Sequence, residues 1–320
     1  MSDPLVSIVV PNYNHARFLQ ERLQSIRDQT FTNHEIILLD DASLDESIGI
    51  LSTFAAESGA KLLVNEINSG SPFVQWNKGI RGTLGKYVWI AESDDSADPR
   101  LLELLVAALE ADPSAALAFA RSTVISVEGE VLRVVPPSGA RESQEAWLHD
   151  FSMEGAEFII KHLFVSCSIP NASAVLFRRD LFSEIGGADE SMRLSGDWHL
   201  WVKMLLRGRV HYIAEPLNRF REAQGTSPRL AGTFKRSPIP ESVKIRRLVE
   251  SRLTIPRRVR RGARCYLTQQ LLEFSLKCFQ ASGGMGPIRE AVQALWSHDS
   301  LFWLSIPRVI LGGVGRRILR

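Results

Sequence analysis

The sequence predicts an α/β domain built on a mainly parallel sheet, followed by a separate basic helical region. Three observations predict it. Between Leu5 and Pro113, short apolar runs alternate with stretches of helical periodicity. Acid stands at the ends of the second and fourth runs, Asp40-Asp41 and Glu92-Ser93-Asp94-Asp95, where open sheets of this kind hold their ligands. From Phe234 onward there are 17 Lys and Arg against 5 Asp and Glu, so a net charge of only +2 hides an acidic body and a basic tail.

The elements follow in order. LVSIVVP (Leu5–Pro11) is a β-branched run and reads as a buried strand. Ala16–Gln29 carries Phe18, Leu19, Leu23 and Ile26, a helical stripe. HEIILLDD is the second strand, and LDESIGILSTFAAESG a helix that stops near Gly59. AKLLVN is the third strand, PFVQWNKGIRGTLG a helix, and YVWIA the fourth strand. DPRLLELLVAALEADP is a helix, with Asp98 as cap and Pro99 at its first position. From Ala115 the pattern changes to the strands AALAFARSTVIS and EVLRVVP, then the helix EGAEFIIKHLF. ASAVLFRRDLFSEIGG reads as strand into helix, DWHLWVKMLLRG as a helix and RVHYIA as a strand. After Gln224 a Gly/Pro/Ser-rich stretch reads as a linker. Beyond it lie KIRRLVESRLTIPRRVRRGAR, an amphipathic helix YLTQQLLEFSLKCFQ, and an end in which Arg interleaves with Leu, Ile, Trp and Phe.

Composition narrows the classes. At 45% hydrophobic and 23% charged, the 320 residues suit an ordinary globular protein of one large domain with an appendage, or two domains. The three cysteines, Cys167, Cys265 and Cys278, are widely spaced and make neither a disulfide framework nor a zinc motif. No basic segment precedes an apolar one at the N-terminus, and no apolar run reaches the ~18 residues of a membrane span. The expectation is a cytoplasmic protein. Nucleic acid is not an expected partner, because no recognition motif accompanies the basic charge.

The chemistry is read from the strand ends. There is no G-x-G-x-x-G after the first strand and no G-x-x-x-x-G-K-[ST] anywhere, so neither usual backbone cradle for phosphate is present. Carboxylates repel phosphate unless a divalent cation intervenes, and hard oxygen ligands suit Mg²⁺ or Mn²⁺. A cation held by Asp94 and Asp95 would bridge to a diphosphate and stabilise it as a leaving group.

Five ordered segments, SIVVPNYNHARFLQERLQSI, EIILLDDASLDES, QWNKGI, GKYVWIAESDD and GDWHLWVKML, together resemble the family 2 inverting glycosyltransferases. The likeness spans Leu5 to Phe220 and implies a GT-A fold, a Rossmann-like, mainly parallel central sheet flanked by helices. It also implies roles. Pro11, Tyr13 and Asn14 would pack on the nucleotide base, and Asp40 or Asp41 would accept a hydrogen bond from it, while Asp45 caps a helix. Asn77 matches a segment near the donor, although Trp76 stands where that segment usually has Arg; Lys78 is the nearest cation that could take over. Glu92, Asp94 and Asp95 match the metal motif, with Asp95 expected as the direct ligand and Asp94 nearer the sugar or ribose. Asp197 matches the catalytic base. Gly196 replaces a Glu beside it and His199 a second Asp; His199 reads as structural, Trp198 and Trp201 as core or acceptor-platform aromatics, and RLSGD as a mobile lid.

The implied organisation is a glycosyltransferase domain over 1–223, with a nucleotide-binding half to about 114 and an acceptor-binding half from 115. A linker over 224–240 and a basic helical region over 241–320 follow. The implied reaction is metal-dependent, inverting transfer from a UDP- or dTDP-linked sugar to a glycan or lipid-linked hydroxyl, in surface polysaccharide or glycan synthesis. The basic region would meet an anionic membrane at the inner face of the cell membrane. Two alternatives stand beside it: a non-catalytic nucleotide-sugar-binding scaffold, and a nucleotidyltransferase, which would need a Gly-rich loop that PNYNHARFL lacks.

Overall fold

The structure, a computed structural model, describes residues 3–135, 144–222, 236–280 and 285–310. The alternating part comprises β1 (Val6–Asn12), α1 (Ala16–Arg27), β2 (His34–Asp40), α2 (Ser47–Ser58), β3 (Lys61–Val64), α3 (Pro72–Ile80) and β4 (Tyr87–Ile90). There follow β5 (Ser96–Ala97), α4 (Leu101–Ala111), β6 (Ala115–Ile125), β7 (Val131–Val135), β8 (Phe151–Met153) and α5 (Gly155–Phe158). Then come β9 (Val175–Arg178), α6 (Arg179–Glu184), α7 (Gly196–Leu205) and β10 (Arg209–Arg221). Four helices close the described chain: α8 (Ile239–Glu250), α9 (Arg257–Gln280), α10 (Gly286–His298) and α11 (Ile306–Val309).

The described strands form one sheet in the order β3-β2-β1-β4-β9-β6-β10-β5, with β7 beside β6 and β8 beside β10. Strands β1 to β4 are all parallel, and β9 is the antiparallel insertion between β4 and β6. All seven residues of β1 are buried, as a strand covered on both faces requires. Each Val, Leu or Ile so buried contributes about 1.5–3 kcal/mol. Helices α1, α2 and α4 lay Leu23, Ile26, Leu51, Phe54, Leu105 and Leu109 onto one core with Ile8, Val10 and Trp89. Register does the positioning. Asn12 pairs with Asp40 and Val9 with Ile90, so β1, β2 and β4 deliver their carboxyl ends to one edge.

Several boundaries differ from the sequence reading. Helix α4 begins at Leu101, because Asp98 turns back to accept Arg100 N (3.0 Å) before the helix starts. Gly59 ends α2 as read, at φ 73°, returning its N–H to Ala55 O. β10 runs past Pro216, which has no N–H to pair; the register shifts there and the strand resumes at Asn218. That continuation brings Arg219 opposite Ser96. The helix read over 154–164 is instead α5 followed by a π-turn, Ile159–Leu163.

The chain divides into two compact units, residues 1–158 with 168–222, and 159–167 with 223–320. The sheet and the predicted site belong to the first. Segment 159–167, read from the sequence as part of the acceptor-binding half, groups with the C-terminal helices, where the fully buried Arg246 donates to Val165 O. Within the second unit Ile239, Val243, Leu267, Leu271, Ala291, Leu295 and Phe302 form a core of their own. Helix α8 begins inside the predicted linker, with a Pro in its first turn. Linker residues 224–235 and the tail 311–320 lie outside the described residues.

Candidate active site

At the end of β1 the chain turns sharply. Pro11 and Asn12 are buried, and Asn14 takes φ 54°, a left-handed conformation that Asn tolerates. Its N–H donates to Ser43 Oγ (2.9 Å) and its Oδ1 accepts from Leu44 N (2.7 Å), which leaves Tyr13 at the tip, 43% exposed. Beneath it Asp40 accepts Asn12 Nδ2 (2.8 Å), Ser43 N (2.8 Å) and Ser43 Oγ (2.7 Å). Asp41 accepts Asn65 Nδ2 (2.6 Å), Ser69 N (2.9 Å), Ser69 Oγ (2.7 Å) and Gln75 Nε2 (2.8 Å). Both carboxylates are buried and saturated by the chain's own donors. Asp45 caps two helices, accepting Ser47 N (3.0 Å) and Ala16 N (2.9 Å).

The acid turn after β4 is built differently. Asp95 N donates to Glu92 O (3.2 Å) to close it, and His15 Nδ1 meets Ser93 Oγ (2.8 Å) to join it to the β1 loop. Glu92 accepts the Trp76 indole N–H (2.9 Å). Asp95 is buried, accepting Asn171 Nδ2 (2.5 Å) on one oxygen and Arg221 N (2.9 Å) on the other. Arg221 also donates through Nε to Asp94 O (2.8 Å) and pairs with Glu21, so the end of β10 clamps the turn. Asp94 is half-buried, and its carboxylate accepts no hydrogen bond from the described residues. Burial and the charge of Asp94 push the Glu92 carboxyl up to about 8 and that of Asp95 up to about 7. One fully buried cation, Arg22, lies behind them, donating to Glu92 O (2.8 Å) and resting 5.3 Å over the Trp89 ring. Burial lowers its pKa, opposed by Asp95, Asp94 and Glu92. Among the described residues no three Asp, Glu, His or Cys side chains stand close enough to hold an ion between them.

Asp197 sits half-buried in the first turn of α7. A row of aromatic contacts joins this end to the acid turn. A Cβ on Gly196 would lie 2.5 Å from the Phe73 ring; Phe73 meets Trp76 edge-on at 5.0 Å, and Trp76 holds Glu92. The small residue beside Asp197 is therefore required by the ring packed on it. Asn77, on the same helix as Trp76, donates to Ala188 O (3.0 Å) and Glu190 Oε1 (2.8 Å) and accepts Ala188 N (3.0 Å). His199 is buried, 4.0 Å from Asp189. Trp198 and Trp201 are core residues, at 5% and 0% exposure. A cavity of about 520 Å³ lies at the opposite end of the sheet, where β6 and β10 begin, lined by Ser114, Arg178, Asp180 and Arg209. Arg178 is tied there to the Ala115, Leu109 and Asp112 carbonyls.

A profile described as Glycosyl transferase family 2 matches residues 7–186, more than half of the chain. The chain belongs to glycosyl transferase family 2. This glycosyltransferase is 30% identical over 230 residues to an uncharacterized glycosyltransferase of Rickettsia typhi, covering 71% of this chain and 67% of that one. Glycosyltransferase GlyG of Streptococcus pneumoniae is 37% identical over 101 residues, 32% of this chain and 34% of its own. S. aureus TarS 1–349, solved with UDP-GlcNAc, superposes with a TM-score of 0.64 at 20% identity, over 95% of this chain and 82% of that one. The mannosyltransferase PcManGT of Pyrobaculum calidifontis, solved with GDP-Man and Mn²⁺, superposes at 0.58 with 18% identity, over 99% and 88%. At these identities the structural likeness is one of fold, and the fold is GT-A.

The glycosyltransferase thus brings Pro11, Tyr13, Asn14, Asp40, Asp41, Glu92, Asp94 and Asp95 to one sheet edge. Three expected roles meet obstacles in the geometry. Asp95 has both oxygens engaged inward, the Asn77 amide is spent on the 188–190 turn, and neither Asp40 nor Asp41 is left open. Sequence reasoning missed Arg22, Asn12, Asn171 and Arg221. Arg22 had a signal, since it shares the buried stripe of Leu19, Leu23 and Ile26. Arg221 had none, because its contacts lie up to 200 positions away.

Proposed function

We propose that this glycosyltransferase moves a sugar, with inversion, from a UDP- or dTDP-linked donor to a hydroxyl of a glycan or lipid-linked acceptor, using Mn²⁺ or Mg²⁺. The carrying observation is Asp94, a half-exposed carboxylate that accepts no hydrogen bond from the described residues, beside two carboxylates whose pKa values burial and neighbouring charge raise. That donor set is short of positive charge. Mg²⁺-like ions are commonly held by one or two carboxylates with substrate phosphates completing the shell, so a site without three protein ligands fits. We assign the metal-facing role to Asp94, with Glu92 beside it, and give Asp95 the task of aiming the turn. The bound cation would neutralise charge on the departing diphosphate.

The remaining work belongs to the chain's own groups. Tyr13 offers an exposed ring for the base to stack on, held by the Asn14–Ser43–Leu44 bonds. Asp40 and Asp41 keep the loops around it in place. Asp197 takes the proton of the acceptor hydroxyl as its oxygen bonds to the anomeric carbon. The bond from that carbon to the diphosphate oxygen breaks on the opposite face, and the nucleoside diphosphate leaves. The solved neighbours hold UDP-GlcNAc and GDP-Man with Mn²⁺, which supports a nucleotide-sugar donor and a divalent cation. Among the described residues no helix is long and apolar enough to cross a membrane; we propose that the basic C-terminal region works against an anionic membrane surface.

Calorimetry with UDP, dTDP and GDP, with and without Mn²⁺, tests the site. Mn²⁺ should strengthen pyrimidine diphosphate binding in the wild type and not in Asp94→Ala. Asp197→Asn should keep that binding and lose about 10²–10⁴-fold in transfer. Binding indifferent to Mn²⁺, or full transfer by Asp197→Asn, overturns the proposal.

A further inference from the structure

The second unit carries an apolar surface that its own packing leaves exposed. In α10, Ile288, Ala291 and Leu295 face inward, at helical spacing. Four residues apart on a neighbouring stripe, Val292 and Trp296 face out, and Trp296 is 57% exposed. The chain then turns through 299–305. Phe302 and Ser305 are buried in that turn, whereas Leu301, Trp303 and Leu304 are about half exposed. Trp296 meets the Phe302 ring edge-on at 6.2 Å, so the helix packs on the turn that carries Leu301, Trp303 and Leu304. Single exposed apolar residues are ordinary; two tryptophans and two leucines together are not.

Charge lies beside the patch. The turn is pinned to α9 by Arg264 Nε donating to Asp299 Oδ2 (2.5 Å) and by Thr268 Oγ1 against Ser305 Oγ (2.7 Å). Arg257, Arg261, Arg264 and Thr268 follow a spacing of four, three and four, one stripe of that helix. Arg257 and Arg261 are exposed and lie within about 10 Å of Arg264 along the axis.

We propose that this patch is a membrane-docking surface: Trp296, Leu301, Trp303 and Leu304 enter the headgroup–acyl boundary of an anionic bilayer while Arg257 and Arg261 engage its phosphates. The inference deepens the membrane reading of the basic C-terminal region and rests on it. Tryptophan suits that boundary, with an apolar ring and a polar edge, and guanidinium suits phosphate. A bilayer presents negative charge and an apolar layer side by side, as the arginine stripe and the patch require.

Full-length protein is sedimented with phosphatidylcholine vesicles and with phosphatidylcholine–phosphatidylglycerol vesicles, at low and high salt. The wild type should bind the anionic vesicles and lose binding with salt. Trp296→Ser/Trp303→Ser should weaken it at least tenfold, and Arg257→Gln/Arg261→Gln should weaken binding to the anionic vesicles alone. Circular dichroism and UDP binding serve as controls for folding and for the nucleotide site. Unchanged vesicle binding in both double variants overturns this surface and leaves the membrane reading standing. No binding by the wild type overturns both. A dimer in light scattering that the tryptophan substitutions dissolve overturns it in favour of a second copy.

Discussion

Two strand ends carry paired acid, Asp40-Asp41 after β2 and Asp94-Asp95 after β4, and the fold treats them oppositely. The first pair is surrounded by donors: Asn12 and Ser43 for Asp40, and Asn65, Ser69 and Gln75 for Asp41. At the second, Glu92 accepts only from Trp76 and Asp95 from Asn171 and Arg221, Asp94 accepts nothing from the described residues, and burial with the charge of Asp94 pushes the Glu92 and Asp95 carboxyls up to about 8 and about 7. The number and charge of the donors decide which acid is scaffold and which is left open. A carboxylate fed by three or four N–H and O–H groups gains structure from its charge. A carboxylate crowded by others and fed by no donor, as Asp94 is among the described residues, gains only from a partner brought in from outside.

Asp94→Ala should reduce transfer at least a hundredfold while urea unfolding shifts by no more than ~0.5 kcal/mol, the scale of a surface change. Asp41→Ala should do the reverse in kind. It strands the amides of Asn65 and Gln75 and both donors of Ser69, and should cost about 3 kcal/mol of unfolding free energy, with or without Mn²⁺. If Asp41→Ala unfolds like the wild type, the first strand end is not scaffold. A smaller effect sharpens the second end: Trp76→Phe removes the indole donor to Glu92 and should cost ~1 kcal/mol, read by the same unfolding curves.

The acid turn also tilts stability with pH. Glu92 and Asp95 bind protons more tightly folded than unfolded, so the folded state holds more protons between about pH 4 and about 8. Stability should therefore fall as pH rises through that window. A cation bound by Asp94 and Glu92, as proposed, would compete with the Glu92 proton, so Mn²⁺ should raise the melting temperature more at about pH 8 than at about pH 6. Equal gains at both values would mean that the ion binds elsewhere.

Much of this was legible in the chain itself. The run VSIVV and the stripe of Leu19, Leu23 and Ile26 depend on local periodicity, and they became β1 and α1. The Gly59 stop and the Asp45 cap depend on residues a few positions apart. The helix over 154–164 was not legible as drawn, since its second half winds as a π-turn in the other unit. β10 hid behind Pro216, whose missing N–H ends a regular strand on paper while a register shift carries the real one past it.

The site divides along the same line. The sequence by itself determined that acid would stand at the carboxyl ends of β2 and β4 and that Asp197 would begin α7, because side-chain alternation and helix periodicity are set by neighbours in the chain. Which carboxylate remains open follows from contacts made across the fold. Asp95 is claimed by Asn171 and Arg221, Asp41 by Asn65, Ser69 and Gln75, and Gly196 is held small by Phe73. Those partners lie between 24 and 126 positions away, and a hydrogen bond needs its two atoms within about 3 Å. That distance is set by folding and not by order along the chain.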